Sequence, residues 1–175
     1  MPSNHLSFRV AAIPKPQGSK RAFITRPKEG SGKTPKAVVV DSDKGPLKEF
    51  REAVRSDAVA AMPEGFIPLA GPVAVELQFA LHKPKVAERG PRRWPTGKTA
   101  GDVDKLARAV LDALTDAGVW EDDGQVVQLL VSKDYPGTPG AGHQLTPGVC
   151  VFVGRSGDQL PSKSPNPVRQ EEIQF

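Results

Sequence analysis

At 175 residues, with 24 Lys/Arg against 20 Asp/Glu and a net charge of +4, the chain is about one domain long and has room for a core of its own. Its single cysteine, Cys150, excludes an internal disulfide framework and, set in the apolar run GVCVFV, is expected to be a buried, inert thiol. No run of 18 apolar residues and no signal-peptide pattern in MPSNHLSFRV points to a membrane or to export, so a soluble cytoplasmic protein is expected.

The small net charge hides a segregation. Residues 15 to 36 hold seven Lys/Arg against Glu29, and residues 83 to 98 hold six against Glu88. Between Asp102 and Asp123 the balance reverses, with seven acids against Lys105 and Arg108. Two basic loops and one acidic focus suit a polyanionic partner whose phosphates dock on cations, with carboxylates used where a metal ion intervenes. Either basic loop taken alone reads equally well as a solvated loop.

In chain order, Leu6 to Ile13 is predicted as a first strand, followed by the Pro/Gly-punctuated basic loop Lys15 to Arg21. Gly32-Lys33-Thr34 hints at a phosphate-binding loop, but the pattern needs a glycine at position 27 and finds Pro27. Residues 26 to 36 then read as a basic loop, and Ala37 to Val40 as a short strand or extended arm. Leu47 to Met62 is predicted as a helix burying Leu47, Phe50, Val54, Ala58 and Ala61 and stopping before Pro63. Val73 to Leu81 alternates apolar and other residues as a half-buried strand does. The second basic loop, HKPKVAERGPRRWPTGKTAG, then carries cations and Trp94 up to Asp102; Trp94 is read either as a packing anchor or as a ring for stacking on an unpaired base.

Asp102 to Ala117 is predicted as the central helix, with Val103, Leu106, Ala107, Val110, Leu111, Leu114 and Ala117 on its core face. Asp102 fits the N-cap, Asp104 the first turn where the helix dipole favours negative charge, and Gly118 a left-handed C-cap. Asp104, Arg108 and Asp112, spaced by four, are expected on the flank away from the core. A second acidic pair, Asp122 and Asp123, follows the helix. Gln125 to Val131 is predicted as a buried strand running out to Lys133, and Gly148 to Val153 as another strand. Residues 155 to 175 are polar and Pro/Ser-rich and are expected to form a disordered tail behind a domain spanning 1 to 154.

The run Asp102 to Val127, DVDKLARAVLDALTDAGVWEDDGQVV, closely resembles the signature of the RusA family of Holliday junction resolvases, endonucleases frequent in phages and prophages. That signature opens D-x-D-N, places a basic residue at the next helical turn, and continues L-x-D-A-L-x-x-A-G-x-x-x-D-D-x-Q-V to a lysine. The order of strand, basic loop, strand and helix extends the likeness over residues 6 to 153. The resemblance implies a small dimeric α/β (α+β) single domain, with a mixed sheet of four to five strands and two main helices. It also implies binding to four-way DNA junctions and symmetric cutting with Mg²⁺, Mn²⁺ being the alternative ion. The family's essential carboxylates fall on Asp102, Asp104 and Asp123, the expected metal ligands, with Arg108 completing the catalytic set. Lys105 stands where the family usually has Asn, and Arg108 where it has Lys. Arginine keeps the charge but cannot release a proton at working pH. Lys20, Arg21, Arg92, Arg93, Lys98, Lys105 and Lys133 are the expected DNA contacts.

Length adds a geometric expectation. A helix from Asp102 to Ala117 is roughly 24 Å long, and the six further residues to Asp123 span at most about 20 Å. Asp123 is therefore expected to complete the Asp102/Asp104 site of a second subunit in a two-fold homodimer. Two other readings stay open: a branched-DNA-binding protein that does not cleave, and a Mg²⁺-dependent nuclease for other DNA structures. The aspartates also have a purely structural reading, as N-cap, dipole partner and turn acids. Finally, Glu171-Glu172-Ile173-Gln174-Phe175 is weakly similar to the C-terminal peptide of bacterial single-stranded-DNA-binding proteins, which leaves a tail partner open beside a plain tail.

Overall fold

The computed structural model describes residues 5–18, 21–25, 34, 36–40, 45–85, 94–97 and 100–157. The expectations for Lys20, Arg92, Arg93, Lys98 and the tail beyond residue 157 lie outside them. In chain order the elements are β1 (Leu6–Val10), β2 (Arg21–Thr25), β3 (Lys36–Val40), α1 (Gly45–Ala61), β4 (Val73–Ala80), α2 (Val103–Asp116), a short 3-10 turn (Asp123–Gln125), β5 (Val126–Asp134), a second 3-10 turn (Pro139–Ala141) and β6 (Gly148–Arg155).

Four of the strands form one mixed sheet in the order β1-β6-β4-β5. The first three run antiparallel to their neighbours, whereas β5 lies parallel to β4. Parallel neighbours require a crossover, and α2 supplies it. The fold is thus α+β, with a β4–α2–β5 unit on an otherwise antiparallel sheet. β2 and β3 pair separately as an antiparallel two-stranded ribbon, Arg21 opposite Val40 and Thr25 opposite Lys36.

Both helices cover one face of the large sheet. Phe50, Val54 and Ala58 of α1 meet Leu106, Val110, Ala113 and Leu114 of α2 over Val73, Val75, Leu77 and Phe79 of β4 and Val149, Val151 and Val153 of β6. Each large apolar side chain buried here contributes about 1.5–3 kcal/mol. The helix spacing predicted this stripe, with two corrections. Val103 is 37 % exposed, and Ala109 and Ala113 are buried, because α2 is flanked by α1 as well as seated on the sheet. The same seam takes Asp112, expected to point away from packing: Arg51 reaches Asp112 at 3.5 Å and Asp116 at 2.7 Å.

Other differences have equally local causes. β4 is buried on both faces rather than one, since the chain after β5 folds over its second face, where Gln144 donates to the Gln78 carbonyl and the Ala141 carbonyl. β5, expected to be buried, is an edge strand of the sheet, and Val127, Leu129 and Leu130 are 61 %, 43 % and 58 % exposed. β1 ends at Val10 rather than Ile13, because its partner β6 begins at Gly148, one residue beyond the Val10–Val149 pair. Arg21, read as the end of a basic loop, instead opens the strand Arg21–Thr25, whose backbone pairs antiparallel with β3. Cys150 is half-buried rather than buried, and desolvation pushes its thiol above the ordinary range, against the pull of Arg9, so it remains protonated and inert.

The crossover helix is terminated as its sequence predicts. Gly118, at φ 79°, donates to Thr115 O while Val119 donates to Leu114 O at 3.1 Å, the paired bonds of a Schellman motif. Its start is shaped by Gly101, at φ 76°, whose missing Cβ would lie 3.0 Å from Pro16 Cγ. Next to it the Gln17 amide donates to the Lys105 carbonyl at 2.9 Å, so the loop leaving β1 is pinned to the first turn of α2. Gly101→Ala meets both a left-handed backbone and a proline ring; we expect a loss of about 1–3 kcal/mol, read as a lower midpoint in urea denaturation.

Candidate active site

Asp102 occupies the N-cap position of α2 with extended backbone, φ −79° and ψ 142°, yet its side chain makes no capping hydrogen bond. Its carboxylate instead accepts from Lys105 Nζ at 2.6 Å, and both side chains stay open to solvent. That bond, then the charge of Lys105 and the more distant Lys133, holds the Asp102 carboxyl below the usual carboxylate range, and Lys105 is raised in turn. Both groups are charged throughout the neutral range. The structural reading of Asp102 as a capping residue is therefore not realised: its carboxylate caps no amide and pairs instead with the partly exposed Lys105.

Asp104 is exposed in the first turn of α2, where the helix dipole favours its charge. Arg108 is exposed four residues on, one helical turn along the same flank. Lys133, near the end of β5, donates to the Gly101 carbonyl at 2.6 Å, so this expected DNA contact also ties the end of the crossover to the loop entering α2. Of the other expected DNA contacts, Arg21 is the first residue of β2.

The second acidic pair divides its labour. Asp122 caps the 3-10 turn, its Oδ1 accepting from the Gly124 amide at 2.7 Å. Gln125 answers it, Oε1 accepting from the amides of Glu121 at 3.0 Å and Asp122 at 3.2 Å, while Nε2 donates to the carbonyls of Leu69 and Gly71. Asp122 is thereby spent on the turn, and Asp123, exposed as the turn's first residue, projects from a frame others build. Gln125 is the positioning residue that sequence reasoning missed; the signal was the D-x-x-Q spacing of a capping box in DDGQ. Trp94, the candidate stacking ring, is 56 % exposed.

The acidic turns do not meet within one chain. Asp102 and Asp104 stand at the carboxyl end of β4, where Lys133 also arrives, whereas Asp123 precedes the start of β5. Val126 to Lys133 is an extended run of about 23 Å at roughly 3.3 Å per residue. Among the described residues, no three His, Cys, Asp or Glu side chains gather as a metal site. The donors that are exposed are hard carboxylate oxygens, suited to Mg²⁺ or Mn²⁺, which take only one or two carboxylates alongside waters.

A small α+β domain with exposed carboxylates at both ends of a crossover helix, and lysine and arginine beside them, has the makings of a phosphate-ester hydrolase. The family model described as Endodeoxyribonuclease RusA matches residues 14–142. The chain is 34 % identical to the uncharacterized protein YqaN of Bacillus subtilis (strain 168) over 144 residues, which is 77 % of this chain and 90 % of that one. It is 30 % identical to the crossover junction endodeoxyribonuclease RusA of Escherichia coli (strain K12) over 95 residues, 54 % of this chain and 68 % of that one. The same figures hold for the protein of that name from Shigella sonnei (strain Ss046). The chain belongs to the RusA endodeoxyribonuclease family.

Because Gln125 holds the turn by four hydrogen bonds, Gln125→Ala is expected to cost about 1–3 kcal/mol in denaturation. Faster hydrogen exchange at the Glu121 and Asp122 amides, with exchange in α2 unchanged, is the accompanying signature.

Proposed function

We propose that the protein resolves four-way DNA junctions by paired, Mg²⁺-dependent hydrolysis of the phosphodiester backbone, working as a homodimer. Each site would take Asp102 and Asp104 from one subunit and Asp123 from the other. The observation that carries this reading is the division of the signature carboxylates between the two ends of α2 in a chain of the RusA family, whose Escherichia coli relative is named for crossover junctions.

Three further features support it. Asp123 is displayed outward, and among the described residues no group of three His, Cys, Asp or Glu gathers around it. It lies three residues before β5, the exposed strand edge whose Val127, Leu129 and Leu130 lack cover and would gain it from a second copy. A four-way junction has two equivalent strands, matching two equivalent sites about a dyad.

When bound, Mg²⁺ would supply charge neutralisation at the phosphate and a water acidic enough to attack it. The protein's part is otherwise positional and electrostatic. Arg108 offers a planar fork to non-bridging phosphate oxygens, cannot act as proton donor, and so stabilises developing charge only. The basic loops dock the arms by their phosphates.

A second reading has one observation in its favour: Lys105 occupies the Asp102 carboxylate, as it would in a protein that binds junctions without cutting them. A mobile four-way junction incubated with protein and Mg²⁺ separates the two. Paired symmetric nicks are expected, whereas a stable complex without nicks would establish the binding protein, and preferential cutting of linear or flap DNA would establish a different nuclease. Asp102→Asn should lose nicking by at least about 100-fold while junction affinity is kept or increased, as removing negative charge favours phosphate.

The shared site gives a sharper expectation. Asp102→Asn and Asp123→Asn homodimers should each be inactive, but subunit exchange between them rebuilds one intact site per mixed dimer. Single nicks should therefore reappear on mixing. If they do not, although mixed dimers form, each site is built within one chain. Leu129→Glu should yield monomers by analytical ultracentrifugation and abolish nicking; an unchanged dimer would move the interface elsewhere.

A further inference from the structure

Lys105 and Asp102 form an ion pair at 2.6 Å across one helical turn, at the spot the preceding reading gives to a divalent cation. The pair is not locked by packing, since 36 % of the Lys105 side chain and 66 % of the Asp102 side chain are exposed. The backbone beneath it is fixed: Lys105 O accepts from Gln17 N, and the neighbouring Gly101 O accepts from Lys133 Nζ. A flexible ammonium therefore hangs from a rigid frame. It can leave the carboxylate without disturbing the helix.

We propose that Lys105 is a resident counter-ion of the metal site, which competes with the divalent cation for Asp102 and is handed over to a DNA phosphate when the substrate arrives. The inference rests on Asp102 being a metal ligand. A carboxylate oxygen cannot serve an ammonium and a dication at once, and the two cations repel each other at that range. In the free protein Asp102 also neutralises part of the charge crowded into Lys105 and Arg108, one turn apart. Binding of the dication removes that compensation. A phosphate restores it, because it accepts the released ammonium and meets Arg108 on the same flank. Metal and DNA thereby favour each other, and by linkage the coupling is the same in both directions. The free enzyme would carry little metal, and loading would follow substrate.

The test is metal binding by the intact protein without DNA, using Mn²⁺ followed by electron paramagnetic resonance and Mg²⁺ by calorimetry. Lys105→Gln should bind Mn²⁺ about three- to tenfold more tightly than the native protein, the scale of an exposed ion pair plus one removed repulsion. Lys105→Arg should stay within about twofold, as it keeps the charge. Arg108→Gln removes the same charge without breaking the pair and should give a smaller gain than Lys105→Gln. In a second arm, junction affinity is compared in chelator and in Ca²⁺; the native protein should gain more from the cation than Lys105→Gln does. Equal Mn²⁺ affinity in native and Lys105→Gln proteins, or an equal gain from Arg108→Gln, overturns the counter-ion role while leaving the metal site standing. Absence of saturable binding in every variant, with the protein folded and dimeric, overturns the metal site itself and this inference with it.

Discussion

The parallel pairing of β4 with β5 is the constraint from which the rest follows. Two parallel neighbours can be joined only by a segment that returns the length of the strands, and α2 is that segment. Whatever precedes α2 lies at one end of the sheet and whatever follows it at the other. The sequence places an acidic pair in each of those turns, so the topology parts them by the length of the strands. Lys133, at the far end of β5, comes back to the Gly101 carbonyl and closes the unit beside Asp102, while Asp123 is carried away. The same topology makes β5 an edge strand with apolar residues in solvent. In the proposed dimer one symmetry operation addresses both features, bringing a third carboxylate and covering that edge.

Within each acidic turn, the structure separates the residue that builds from the residue that is displayed. Asp122 and Gln125 satisfy the amides of the turn, leaving Asp123 outside the network. At the other end, Gly101, Pro16, Gln17 and Lys133 fix the backbone, and among the described residues the Asp102 carboxylate pairs with the partly exposed Lys105. A side chain that leaves the local amides uncapped contributes little to folding where it stands. Such idle carboxylates at rigid positions are what a functional site costs a fold, and the neighbours supply the order they do not.

How much of this was legible beforehand depends on whether the deciding interaction is local. The helix α2, its Schellman end at Gly118 and its buried stripe follow from spacing and from one glycine, both visible in the chain. The exposure of β5 was not legible: VVQLLV has the same composition whether a strand lies inside a sheet or at its edge, and only the sheet order decides. β2 was hidden for a related reason, since its pairing with β3 spans a basic segment that reads as loop. At the site, the signature singled out Asp102, Asp104 and Asp123 as the essential carboxylates, and the structure leaves all three exposed. It said nothing of Lys105 lying on Asp102, because an i, i+3 pair forms or fails by rotamer choice. Nor could the roles of Asp122 and Asp123 be told apart until the turn had a geometry.

The charge around Asp102 gives a reason why one chain by itself would be a poor trap for a dication. Two carboxylates, Asp102 and Asp104, sit with two lysines, one on Asp102 and one on the Gly101 carbonyl, and Arg108 follows a turn later. The amino end of α2 adds the positive pole of the helix dipole. Such a locale attracts phosphate more readily than Mg²⁺. In the proposed dimer two changes would alter the balance: Asp123 would arrive from a second subunit, and Lys105 would transfer to an arriving phosphate. The first would depend on the dimer and the second on the substrate. The arrangement would keep a hydrolytic centre weak until two subunits and a phosphate backbone are in place together, which is the condition under which paired cutting is useful.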